Sequence, residues 1–163
     1  MGVQFSLPAE LPPSIMLPAA ADAAGRTSRY ANLSNAVKAY LLVEVNQGYA
    51  DTVTVSLLQA QNVSGGGSKA LNAVPIWLAN TASTVDALVA QAAAASFTTD
   101  VTLADKLIVF EILPEAALDM VNGFDCIAVE TGASNAANVT RAELVYLAQI
   151  KALGASMPST FNN

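Results

Sequence analysis

Short runs of strand-forming residues, each ended by turn residues, are the feature that most constrains the fold of this chain. Residues 52–57 alternate strictly between polar and apolar side chains, which is the period of a half-buried strand. Residues 37–45 are rich in strand formers and end near Gly48, and residues 106–113 are stopped by Pro114. Regularly spaced short strands predict a mainly β fold, an antiparallel β-sandwich or barrel-like domain with one or two short helices.

Two pairs of these runs are predicted to form β-hairpins. Residues 37–45 would pair with residues 52–57 through a short loop. Residues 124–131 would pair with residues 141–150 through the polar loop 132–138. The body of the domain would then consist of two hairpins and further single strands.

The middle of the chain is less regular. Pro75 places the short apolar run 74–78 at an edge or at the start of a strand. Residues 81–95 fit either a helix or an extended segment, because the apolar spacing and the alanines favour a helix, which Ser83 would cap. Residues 115–120 hold helix formers and predict one or two helical turns.

Proline content divides the chain into three zones. Residues 1–27 hold four of the seven prolines and predict an extended Pro/Ala-rich arm, because proline fixes φ and lacks a backbone donor. Residues 28–150 form the β-rich body, and residues 151–163 form a C-terminal tail. The arm is too apolar for a solvated linker, so it either lies across a neighbouring subunit or is disordered or packed on its own domain. Its apolar residues and two aromatic residues of the body are the candidate interface: Phe5, Leu7, Leu11, Ile15, Met16, Leu17, Tyr40 and Trp77.

Catalytic chemistry is disfavoured by the residue types present. The chain has no histidine, which is the commonest general acid or base and a common metal ligand. Its single cysteine, Cys126, lies in an apolar strand and is interpreted as a small buried hydrophobe. Residues 64–69 lack the spacing of a phosphate-binding loop and predict a flexible hairpin loop. We therefore expect no catalytic residue, no metal ligand and no cofactor, and a protein that is not an enzyme.

The charge content points to protein partners. The net charge is −6 and the seven basic residues are scattered, which disfavours nucleic acid and anionic membranes as partners. Charged residues make up 12% of the chain, about half the usual share of 25%. A weakly charged surface predicts that part of it meets another subunit. No apolar run is long enough for a transmembrane helix, and no secretory signal is expected.

Several body segments follow one another in a distinctive order: residues 39–48, 58–63 with the glycine loop 65–67, 72–77, 95–100, 107–112, 123–127 and 134–138. In order and texture these segments resemble small virion proteins of tailed bacteriophages, of the capsid decoration or cement type. The resemblance covers roughly residues 28–148, and none of its segments is a catalytic motif.

This resemblance implies a β-rich homotrimer that binds the major capsid protein on the outside of the capsid shell and stiffens it. The chain would be made in the cytoplasm of the bacterial host and reside on the virion surface. A head–tail connector or tail protein is the alternative within the same class. A carbohydrate- or receptor-binding β-domain is the alternative from another class, and it would use Trp77 with Tyr40 or Tyr49.

Overall fold

The computed structural model describes residues 6–80, 87–148 and 161. Within these residues, two four-residue helices, one 3-10 turn and a series of strands follow the chain. Their bounds are α1 Leu7–Glu10, β1 Pro13–Ala21, β2 Arg26–Thr27, β3 Ala31–Asn32, β4 Ala36–Gln47, β5 Thr54–Ala60, β6 Lys69–Ala70, β7 Val74–Asn80, β8 Val89–Ala94, β9 Ser96–Thr98, β10 Asp105–Ile112, α2 Pro114–Ala117, the 3-10 turn Met120–Asn122, β11 Cys126–Thr131 and β12 Asn138–Ala148.

Two antiparallel sheets make up the domain. Sheet 1 has the strand order β1-β12-β4-β10-β7-β8, and sheet 2 has the order β2-β11-β5-β6, with β3 added on β11 and β9 on β5. Side chains from both sheets share one apolar core, and the sheets do not close into a barrel. The predicted mainly β, antiparallel sandwich is therefore confirmed.

Alternation along the strands places the core between the sheets. In β10, Ile108, Phe110 and Ile112 are fully buried, whereas Leu107 and Val109 point to the other face. The same alternation holds in β4 and β5, as expected for strands with one face in the core. The largest apolar side chains that fill the core are Phe110, Leu33, Leu41, Leu57, Ile76, Ile108, Ile112, Ile127 and Leu144.

Both predicted hairpins are wrong, although their strands exist. β4 pairs with β10 and β12 in sheet 1, whereas β5 pairs with β11 in sheet 2. The loops after β4 and after β11 cross from one sheet to the other instead of turning back. A Cβ atom on Gly48 would lie 2.6 Å from the carbonyl oxygen of Ala137, so the first crossing passes close to the second and requires glycine there.

The middle of the chain is a strand where the structure describes it. Residues 89–94 form β8, so the helical alternative for residues 81–95 is wrong there, and residues 81–86 lie outside the described residues. Pairing with β7 supplies a ladder of backbone hydrogen bonds that overrides the helix propensity of alanine. Pro75 lies at the start of β7, beside a register shift, where it interrupts no pairing with β10.

Most of the predicted N-terminal arm packs on its own domain. Residues 13–21 form β1, an edge strand that pairs with β12, and the side chains of Met16 and Leu17 are buried in the core.

Of the predicted C-terminal tail, residues 151–160 and 162–163 lie outside the described residues. The ring of Phe161 lies 3.9 Å from the guanidinium carbon of Arg29.

The glycine loop between β5 and β6 is compact. Gly65 and Gly67 have positive φ values of 82° and 64°, a conformation that favours glycine. The side-chain oxygen of Asn62 accepts hydrogen bonds from the backbone N–H groups of Ser64 and Gly66 at 3.0 Å. These two N–H groups therefore stabilise the turn and are not free to bind a phosphate.

Candidate functional site: the outer face of sheet 1

A row of side chains crosses sheet 1 on the face that points away from the core, called here the outer face. Cross-strand register places its members opposite one another from edge to edge. The row consists of Ala90, Trp77, Val109, Leu42, Glu143 and Ile15. Five of these six side chains are apolar, whereas a solvated sheet face is normally polar.

The centre of this face is half-buried by its own neighbours. Trp77, Val109 and Leu42 have intermediate exposure, and Ile15 at the β1 edge is 51% exposed. Because Trp77 and Leu42 both lie opposite Val109, the three form a continuous apolar surface on adjacent strands. Such a surface is suited to contact another protein.

Ion pairs lie beside the apolar centre. Lys38 pairs with Glu111, and Arg141 pairs with Glu143. The hydrogen bond from Lys38 lowers the pKa of Glu111, and the same bond is the main reason that the pKa of Lys38 is raised. The indole N–H of Trp77 donates to Glu111 Oε2 at 3.3 Å, so this carboxylate also orients the indole ring.

A groove of about 470 Å³ lies at one end of the outer face. Its lining includes Leu107 and Ala79 with the charged residues Glu44, Asp105 and Arg141. In the part of the chain that the structure describes, no group of three His, Cys, Asp or Glu side chains could hold a metal ion. The groove offers shape and charge, and it presents no nucleophile paired with a base.

The outer face of sheet 2 has a different composition. Thr54 and Ser56 of β5 alternate with core residues, and Glu130 of β11 lies opposite Ser56. The hydroxyl groups of Thr54 and Thr98 lie 3.0 Å apart and share a hydrogen bond. Further along the same strands, half-buried Leu58 lies opposite buried Ala128, so the outer face of sheet 2 is polar only at its Thr54 end.

The predicted arm residues are found in three environments. Leu7 in α1 is 47% exposed and Ile15 in β1 is 51% exposed, whereas Leu11 is half-buried. Phe5 lies outside the described residues. Two of the predicted interface residues belong to the core: Met16 and Leu17.

The two predicted aromatic residues lie on the outer face of sheet 1. Trp77 belongs to the apolar centre, and Tyr40 lies beside it on β4, two residues from Leu42 on the same face. Sequence reasoning missed Leu42 and Val109, which lie between them. The uninterrupted apolar run at residues 41–43 is the signal that could have found Leu42, because a strand that is apolar on both faces reads as a continuous run.

Cys126 is fully buried, and it offers a direct test of the native packing. Burial first, and then the hydrogen bond that its thiol donates to Asp125 Oδ1 at 3.1 Å, raise the pKa of Cys126 to about 12. Because the thiolate is the reactive form, we expect the native protein near pH 8 to react with a disulfide reagent at least about a hundredfold more slowly than the unfolded protein. Absorbance of the released thiol, with and without urea, measures both rates. Equal rates would contradict the buried position.

The described residues contain no helix long and apolar enough to cross a membrane. No protein-family model matches the chain, and no curated protein matches it. Among solved structures, the chain is similar to the SPBc2 prophage-derived protein YomS, with 14% sequence identity and a TM-score of 0.44. The similarity covers 82% of this chain and 89% of that one, and at this TM-score it carries no argument about function.

Proposed function

We propose that this protein is a non-enzymatic structural protein of a phage virion, which binds the major capsid protein and stabilises the capsid shell from outside. The observation that carries the proposal is the apolar centre of the outer face of sheet 1, formed by Trp77, Val109 and Leu42 and flanked by ion pairs. The virion assignment is supported by the resemblance of residues 28–148 to decoration proteins. A head–tail connector or tail protein would use the same kind of surface.

An apolar surface flanked by ion pairs is well matched to this task. Burial of apolar area against a capsid subunit provides the attraction, and it needs no reacting group. We propose that the protein acts as a homotrimer, so that three such faces bind the shell together and their weak contacts add through multivalency. A protein that binds only the assembled shell shifts the equilibrium towards the shell.

A charge in the centre of the outer face should abolish most of this binding. We expect Val109→Lys to weaken binding to purified empty shells at least about tenfold, because the ammonium group must be desolvated in the contact. Ser56→Lys, on the outer face of sheet 2, is the matched control and should bind normally. Co-sedimentation of protein with shells measures both affinities, after thermal melts show that both variants fold.

The result that would overturn the proposal is equal binding by the two variants. Copy number in purified virions, from quantitative mass spectrometry, separates the alternatives. Hundreds of copies fit a shell protein, and about a dozen would assign the chain to the connector or tail. Absence from virions, together with binding to glycans that depends on Trp77, would favour the receptor-binding alternative.

A further inference from the structure

The β1 edge of sheet 1 and the edge strands of sheet 2 carry features that discourage pairing with another chain. The β1 edge holds Pro13 and Pro18, and its pairing with β12 has two register shifts. The edge strands of sheet 2 are only two or three residues long: β2 and β3 lie beside β11, and β6 and β9 lie beside β5. Two of them also contain a charge, Arg26 in β2 and Lys69 in β6. Prolines, bulges, short strands and charges are the devices by which natural proteins protect sheet edges.

The β8 edge is six residues long and has neither proline nor charge, although its pairing with β7 has one register shift, with residues 92 and 93 opposite Pro75. Residues 89–94 contain no proline and no charge, and the uncharged stretch extends over residues 87–99. Within the part of the chain that the structure describes, β8 pairs with β7 and with no strand on its other side. Leu88 and Val89, at its start, are 46% and 56% exposed. A six-residue apolar edge of this kind is a template for a further strand.

We propose that β8 pairs antiparallel with β8 of a second copy of this chain across a two-fold axis. The net charge of −6 makes copies repel one another, but this stretch brings no like charges together. A two-fold contact uses the same patch on both copies, so an edge without charge or proline is complementary to itself. Antiparallel pairing also sets the large Val89 end of one strand against the small Ala94 end of the other.

The pairing would extend sheet 1 of both copies into one continuous sheet. A two-fold axis perpendicular to the sheet keeps both outer faces on the same side, so the row that ends at Ala90 continues into the second copy. This contact is distinct from the three-fold contact of the proposed trimer, and it would join copies from two different trimers. The inference does not depend on what the outer face binds.

Crosslinking tests whether the two strands meet. Ala92 lies at the middle of β8, so a cysteine there should come close to its own symmetry mate. We expect Ala92→Cys to give at least about tenfold more covalent dimer with a short bismaleimide than Ala19→Cys, the matched control on the β1 edge. The wild-type protein provides the background, since its single thiol is buried. Equal dimer yields from the two variants would overturn the proposal.

Sedimentation over a concentration series tests whether the pairing forms in the unmodified protein. Edge pairing buries little area, so the series must reach high concentration. Ala92→Lys places two like charges beside the axis, and we expect it to weaken the association at least about tenfold, whereas Ala92→Ser should not. An unchanged dissociation constant for the lysine variant, with an unchanged melt, would overturn the proposal. No capsid is present in either assay, so failure here leaves the proposed shell binding intact, and the reverse also holds.

Discussion

Replacing Arg26 by methionine should lower the free energy of unfolding by about 3 kcal/mol. Its Nη1 donates to the carbonyl oxygen of Pro18 at 2.9 Å. Its Nη2 donates to oxygens of Ala20, Asp22 and Thr140 at 3.0, 3.0 and 2.8 Å. Removal of the guanidinium leaves the fully buried Asp22 carboxylate without its cation and releases the carbonyl groups beside the irregular part of β1. Urea unfolding followed by fluorescence measures the loss.

Arg26 and the groups that it contacts, Asp22 and the carbonyl oxygens of Pro18, Ala20 and Thr140, are called here the Arg26 cluster. Two further variants test whether the loss of stability comes from this cluster or from removal of any surface charge. Arg141→Met removes a more exposed arginine and should cost less than about 1 kcal/mol. The double variant Asp22→Asn with Arg26→Met should recover part of the loss, because much of the penalty is the unpaired buried charge. A loss for Arg26→Met no larger than that for Arg141→Met would show that the cluster does not hold β1 in place.

Replacing Lys106 by methionine should lower the free energy of unfolding by about 2 kcal/mol. Only 2% of this lysine is exposed, and its Nζ donates to Gln47 Oε1 at 2.7 Å and to the backbone oxygen and Oδ1 of Asp100 at 2.8 Å. Gln47 in turn donates to the carbonyl oxygen of Asp51 at 2.8 Å. The lysine therefore joins two loops at one end of the sandwich, and methionine fills its volume without replacing its hydrogen bonds.

The same variant should change the acid dependence of stability. The hydrogen bond from Lys106, and then that from the backbone N–H of Thr102, hold the pKa of Asp100 below its ordinary value. A carboxyl group with a lowered native pKa stabilises the fold above its ordinary pKa, and this stabilisation is lost as the pH falls through the lowered pKa. Unfolding measured from about pH 6 to about pH 2 should show a smaller acid-dependent loss in Lys106→Met. Arg141→Met, which removes one positive charge elsewhere on the domain, is the control, and an unchanged acid profile in Lys106→Met would contradict the assignment.

The strands could be predicted from the sequence because each one has a local pattern. Residues 52–57 and 106–113 alternate or run apolar between turn residues, and the limits of β5 and β10 lie within three residues and one residue of the predicted ones, respectively. The helical turn after Pro114 follows from the same kind of local information, because proline is favoured in the first turn of a helix.

The pairing of the strands could not be predicted in the same way. The residues beside Gly48 fit a tight hairpin, but the crossing between the sheets depends on contacts with residues near Ala137, far along the chain. For residues 89–94, the helix propensity of alanine favours a helix, but pairing with β7 stabilises a strand. Pairing is a non-local property, and a single sequence contains no direct record of it.

The candidate surface could be predicted only in part. Aromatic character predicts Tyr40 and Trp77 as interface residues, and the outer face of sheet 1 contains both. The N-terminal segment was harder to predict. An apolar segment with prolines is compatible both with an arm that lies across a neighbouring subunit and with an edge strand of its own domain, and residues 13–21 form such an edge strand. Val109 could not be assigned to the outer face until the register of β10 against β4 and β7 was known.

The long connection between β4 and β12 has a consequence for biosynthesis. β4 lies at the centre of sheet 1, and about 90 residues separate it from β12, one of its two partners. At about 5 to 20 residues per second, a ribosome needs roughly 5 to 20 s to supply that partner. Throughout this interval the nascent chain carries an apolar strand with an open side. Sheet 1 can therefore be completed only after residue 148 has been released, and the growing chain is a natural client for chaperones that shield apolar segments.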